Sequence, residues 1–223
     1  MRNNLFIAEE YVRLVVLHTC WITSLLGKPA MKSPLVLLQK LGSITPGINP
    51  KRYEKETGSI YSLISVKDLD SLLIGSVQTE VQLCIPKPEK HQLIKNDVVI
   101  AIRGSLLKSS VITETLEGSV SNPNTAFFRC YTNIIDPVYL AVLLRSGYVE
   151  QLPSFRKMSR TTTLPGIRVN DLRNLEIPLP ELSIQHQISH LFVSLEKLTR
   201  SVTSEIETRN SLAQAALSRV LEI

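Results

Sequence analysis

Glycine and cysteine are both scarce in this 223-residue chain, and each scarcity closes off a kind of chemistry. The 9 glycines are scattered, so there is neither a G-x-G-x-x-G turn for a dinucleotide nor a phosphate-binding loop. The three cysteines, Cys20, Cys84 and Cys130, are far apart, odd in number and without a C-x-x-C pair, which removes the common zinc and redox spacings and points to a reducing cytoplasm. An adenine methyltransferase holds its target base with an Asp/Asn-Pro-Pro-aromatic motif. The nearest approach here, Ser121-Asn122-Pro123-Asn124, lacks the second proline and the aromatic ring. His186 and His190 stand four apart, as two metal ligands on one helix face would. Gln187 occupies the position where a H-E-x-x-H site needs glutamate, and no third ligand is evident, so both read as surface histidines. Asp68 and Asp70 lie near no basic cluster at nuclease spacing and read as turn or surface carboxylates. The expectation is a protein with no catalytic residues, no metal site and no cofactor of its own.

A long uncharged run is also missing. Residues 5–26 are rich in apolar groups but carry Glu9, Glu10, Arg13 and His18, so they read poorly as a membrane span, and they lack the basic start and short apolar core of a signal peptide. With Leu14, Leu17 and Trp21 on the opposite surface, they read as an amphipathic helix, or as an extension before a later start at Met31.

The most informative absence comes after Pro180: no further proline or glycine occurs before the last residue, Ile223. Pro178 and Pro180 hold φ near its fixed value and keep Ile177 and Leu179 extended, so a short strand must end before any helix begins. From there apolar residues recur at Ile188, Leu191, Leu195, Leu198, Val202 and Ile206 in steps of three and four, then, seven residues on, at Ala213, Leu217 and Val220. That is a coiled-coil seam. Some 40 residues of helix would span roughly 60 Å, longer than a domain of this size is wide, so the seam needs a partner helix.

Between residues 35 and 175 strands and short helices mix. Leu35 to Leu41 leads into a turn-rich segment, Gly42 to Gly47. Runs rich in β-branched residues predict strands at Ile60–Val66, Val81–Ile85, Val98–Ile102 and Ser110–Thr115, with a further strand at Ala126–Cys130 after a turn at residues 121–124. Asp136 as N-cap, Pro137 at the first helical position and Gly147 as a stop predict a helix between them. The fold class expected is α+β: an N-terminal helix or extension over 1–32, one mixed strand/helix domain over 33–180 and a long coiled-coil helix over 181–223.

The basic residues are unevenly spread. The whole chain carries a net charge of +5, yet residues 151–175 hold Arg156, Lys157, Arg160, Arg168 and Arg173 against one acid, Asp171, a local excess of +4. Such a patch suits a phosphate backbone, and ordinary solvated surface charge is the alternative reading. Thr161, Thr162 and Thr163 add hydroxyls that can contact phosphate or base edges, and Gly166 permits close backbone approach. Arg103 and Lys108 flank a Gly104-Ser105 turn, and Lys51, Arg52 and Lys55 form a second cluster diluted by Glu54 and Glu56. Because arginine can bind guanine through two donors, Arg103 and Arg160 are candidate base readers.

The run Ile177-Pro178-Leu179-Pro180, with Leu182, Gln185 and Ile188 and the long helix behind it, resembles the junction of specificity (S) subunits of type I restriction-modification systems. Ile184 departs from the pattern, which usually has glutamate before the glutamine. Asp97 to Gly104 resembles the family's Gly-Asp-apolar-Gly strand with Asn96 in place of the leading glycine, and Asp136 to Ser146 resembles its Tyr-Leu helix. The resemblance implies a target recognition domain joined to a spacer helix, and it strengthens the DNA-contact reading of Arg103, Lys108, Arg156, Lys157, Arg160, Thr161, Thr162, Thr163 and Arg168. It implies double-stranded DNA, an adenine methyltransferase supplying S-adenosylmethionine, and a restriction subunit as prospective partners. A full S subunit has two recognition domains and two antiparallel helices; one of each stands here, so self-pairing through Ile188, Leu191, Leu195, Leu198, Val202 and Ile206 into an antiparallel homodimer is expected. The alternatives are a coiled-coil adaptor, an inactive remnant of a specificity subunit, or a small metal-dependent nuclease.

Overall fold

The computed structural model describes residues 33–153, 155–156 and 166–221. The expected N-terminal helix over 1–32, together with Lys157, Arg160, Thr161, Thr162 and Thr163, lies outside these residues.

Ten strands are described: β1 (Leu35–Leu37), β2 (Gly42–Pro46), β3 (Glu54–Ile64), β4 (Leu73–Ile74), β5 (Glu80–Leu83), β6 (Val98–Ala101), β7 (Ser109–Ile112), β8 (Val120–Ser121), β9 (Thr125–Cys130) and β10 (Glu176–Pro178). The helices are α1 (Pro137–Arg145), α2 (Tyr148–Gln151), α3 (Val169–Arg173) and α4 (Leu182–Leu221). A five-stranded sheet runs in the order β2-β9-β6-β7-β4, and a three-stranded sheet, β5-β3-β8, stands beside it. With α4 this is the expected α+β class.

All four residues of β6 are buried because both faces of the larger sheet are covered. Side chains alternate across the strand. Val98 and Ile100 enter the main core with Phe128, Leu140 and Leu144, while Val99 and Ala101 join Ile64, Leu69, Leu93 and Phe127 on the other face. At the edge of that second core Asp97, 1% exposed, takes two hydrogen bonds from Arg129, at 2.9 Å to Nε and 2.7 Å to Nη2. This pairing raises the guanidinium's pKa, and the ring of Phe127 lies 5.6 Å beneath it.

Several boundaries differ from the sequence expectation. The stretch Gly42–Pro46, expected as a turn, is a strand paired antiparallel with β9. A Cβ at Gly42 would lie 2.3 Å from the carbonyl oxygen of Arg129 and 2.6 Å from the ring of Phe128, so this glycine serves close strand approach. Pro46 ends an edge strand, where its missing N–H costs nothing. β3 starts at Glu54 rather than Ile60, in polar residues that β-branched content does not flag. β7 stops at Ile112 because Thr113 turns into a 3-10 segment, Glu114–Leu116. The two-residue strands β4 and β8 went unpredicted, being too short for any alternation to register.

α1 begins as expected, with the Tyr139 N–H donating to Asp136 Oδ1 at 2.7 Å and Pro137 in the first turn, and Gly147 at φ 70° follows its end. The proline junction is built on β10, which pairs antiparallel with β1, Val36 facing Ile177. The Tyr139 hydroxyl donates to the Pro178 carbonyl at 2.9 Å, and burial pushes that phenol's pKa up.

Candidate nucleic-acid interface and helix seam

Gln185, fully buried, holds the start of the long helix to the head. Its Nε2 donates to the carbonyls of Pro180 (2.8 Å) and Ile134 (3.2 Å), and its Oε1 accepts the Asp136 N–H at 2.8 Å. One turn on, the Ser189 hydroxyl donates to Asp136 Oδ1, so a single aspartate caps α1 and anchors α4. Ile184 is half-buried, and the junction's polar contacts are made by Gln185 without a carboxylate beside it. Further along, Glu196 Oε1 accepts the Leu72 N–H at 2.9 Å. Ile188, Phe192 and Val193 pack against the main core between these ties. Ile188, expected in the seam, is therefore turned toward the head of its own chain.

Beyond Glu196 the helix leaves the head. Every described side chain from Lys197 to Arg219 is exposed, with Leu198 at 62%, Val202 at 48% and Ile206 at 51%. Leu191 is also exposed and Leu195 half-buried, and Leu212 and Leu217 continue the apolar surface. The pairs Arg200–Glu196 and Arg209–Glu205, four apart, stabilise the projecting helix by a few tenths of a kcal/mol each.

Two of the basic positions, Arg103 and Arg168, come together at one end of the five-stranded sheet. Arg103 closes an isolated antiparallel bridge with Gly166, and the Ile167 N–H donates to the Ile102 carbonyl at 2.9 Å. The β6–β7 turn is thereby joined to the end of the basic segment. Arg103 and Arg168 are exposed near this bridge. Arg156 is also exposed, next to the buried Phe155. The turn is held rigidly: Leu107 adopts φ 60°, a strained value for leucine, while its side chain is 1% exposed in the core. Gly104, at φ 79°, has open space where a Cβ would stand. Lys108 differs from the arginines, since its ammonium is ion-paired with Asp70 and half-buried. That contact escaped the sequence reading because 38 residues separate the partners.

The acidic candidates for chemistry, Asp68 and Asp70, have structural partners. Asp68 accepts from the Ser65 N–H and hydroxyl, at 2.8 and 2.7 Å, in a capping box. His186 lies 3.7 Å from Asp136 and is exposed, as is His190. Among the described residues no three His, Cys, Asp or Glu side chains are grouped for a metal, and no helix is long and apolar enough to cross a membrane.

A mixed α+β head clamped to the first turns of a helix that projects far beyond it defines a class: a domain on a spacer arm. The family described as type I restriction modification DNA specificity domain matches residues 40–208, and the chain belongs to that family. It is 23% identical over 137 residues to the type I restriction enzyme EcoBI specificity subunit of Escherichia coli, covering 59% of this chain and 28% of that protein. It is 26% identical over 161 residues to a putative type I restriction enzyme MjaX specificity subunit of Methanocaldococcus jannaschii, covering 70% and 37%. In fold it resembles the crystal structure of the HsdS subunit from Thermoanaerobacter tengcongensis, with TM-score 0.57 and 21% identity over 78% of this chain and 45% of that one. The chain thus spans about a third of the length of these two curated relatives.

Proposed function

We propose that this chain recognises a DNA sequence and carries an adenine methyltransferase, and with it a restriction subunit, to that site, performing no chemistry itself. The observation that carries the reading is the bridge between Arg103 and Gly166, which gathers the β6–β7 turn and the end of the basic segment on one exposed surface within the specificity-domain fold. Arg103, Arg156 and Arg168 contact DNA from that surface, with Lys157, Arg160 and Thr161 to Thr163 in the adjoining loop. Lys108 contributes through its place in the turn, its charge being already paired. The head is a target recognition domain, the helix from residue 181 is its spacer, and both work in the cytoplasm. S-adenosylmethionine belongs to the methyltransferase partner. The seam at Leu191, Leu195, Leu198, Val202 and Ile206 packs against the same seam of an antiparallel second copy, so that two heads read inverted half-sites.

The test is selection of preferred sites from a random duplex library by the purified chain, with and without an adenine methyltransferase from the same genome. The expected result is an interrupted palindrome, enriched over random DNA at constant salt, because phosphate contacts alone weaken with salt for every sequence. No enrichment in either sample would overturn DNA recognition in favour of a protein-binding adaptor.

A further inference from the structure

The β8–β9 turn meets the same end of the sheet. The Asn124 carbonyl accepts both the Ile102 N–H, at 2.9 Å, and the Arg103 N–H, at 3.2 Å. Asn124 therefore sits against the backbone of Arg103, across the Ile102–Arg103 peptide from the segment at Gly166, because the N–H and C=O of that trans peptide point opposite ways. The turn contains two asparagines with different employment. Asn122 is structural: its Oδ1 accepts the Asn124 N–H at 3.0 Å, and its carbonyl accepts the Thr125 N–H at 3.1 Å and hydroxyl at 2.8 Å. Asn124 is exposed, and its carboxamide has no hydrogen-bond partner among the described residues. The backbone does not call for asparagine there either, since the described non-glycine residues at positive φ are Lys87, Asn96 and Leu107. Nothing among the described residues uses this side chain.

We propose that Asn124 is a specificity-determining residue that reads an adenine in the major groove beside a guanine read by Arg103, a proposal that rests on the DNA-recognition reading above. A carboxamide donates to adenine N7 and accepts from its N6 amine, while a guanidinium donates to guanine N7 and O6, and both pairs are bidentate. Hydrogen-bonded backbones bring the two side chains out from neighbouring points, and successive bases on a strand are about 3.4 Å apart, so the pair matches adjacent base steps. Preorganisation favours the arrangement: the Leu107 anchor and the Asn124 carbonyl immobilise the Arg103 backbone before DNA arrives.

The full chain and its Asn124→Ala, Asn124→Asp and Arg103→Ala variants are put through selection from a random duplex library, and the affinity of each for the selected duplex is compared with a scrambled one. Asn124→Ala should keep the parent's thermal midpoint, lose adenine preference at one position and lower the selected-to-scrambled ratio about tenfold. Asn124→Asp should lose the same preference, because a carboxylate has no donor for N7. Arg103→Ala should relax the neighbouring position. An unchanged base profile for Asn124→Ala, with Arg103→Ala relaxing one position, overturns the role of Asn124 and leaves DNA recognition standing. A parent chain that selects no sequence overturns both.

Discussion

Asn96 stands where the resembling family has glycine, and its φ of 71° supplies the reason: the backbone before β6 turns through the left-handed region while the Asn96 N–H reaches the Ile112 carbonyl. Asparagine tolerates that conformation better than other side chains do. Asn96→Ala should destabilise the protein by about 1 kcal/mol and Asn96→Gly should not, as measured by urea unfolding midpoints. The resemblance of residues 97–104 was visible in the sequence, but the torsion that makes the substitution permissible was not. Lys108 teaches the converse. It looked like a free cation beside a turn, and its pairing with Asp70 depends on strands β4 and β7 lying side by side.

Among the elements, α4 is two helices in function. Its first four turns are a clamp, where Gln185, Ser189 and Glu196 make polar ties and Ile188, Phe192 and Val193 fill the space between them. The remainder is an arm. The periodicity that revealed the helix ran unbroken through both parts, because apolar spacing is the same whether the apolar face meets its own head or a partner. For that reason the spacing puts Ile188 and Leu191 in one seam although only Ile188 faces the core. Gln185→Leu should leave the Asp136 N–H and the carbonyls of Ile134 and Pro180 without their buried partner, costing on the order of 3 kcal/mol in chemical denaturation. Hydrogen exchange at the first turn of α4 should accelerate in the same variant.

At the scale of the whole molecule, the exposed apolar row from Leu198 to Leu217 makes a lone helix costly to leave uncovered. Leu195→Asp with Val202→Asp places charges in the proposed seam. Sedimentation should show the parent at twice the chain mass and this variant at the chain mass, with an unchanged circular dichroism signature of the head. An unchanged mass would mean that the helices pair through another face. Because the clamp fixes the helix to the head, such a dimer would hold its two recognition surfaces at one separation and so set the gap between half-sites.

Local chemistry was sufficient to announce the elements that stop and start abruptly. Prolines at 178 and 180, the Asp136-Pro137 cap, the β-branched run of β6 and the glycine-free helix each act through neighbours in the chain, within a turn or two. The proposed recognition surface is of another kind. Arg103, Asn124 and Gly166 are separated in sequence and are joined by backbone hydrogen bonds that exist only once β6 and β9 have paired and the chain has returned from α2. Residue type could nominate Arg103, but it does not set Asn124, whose side chain no described residue uses, beside it; Asn122 is consumed locally, by the Asn124 N–H two residues on. Hydrogen bonds between distant segments decide which polar groups share a surface, and those are settled by the packing of the sheet rather than by spacing along the chain.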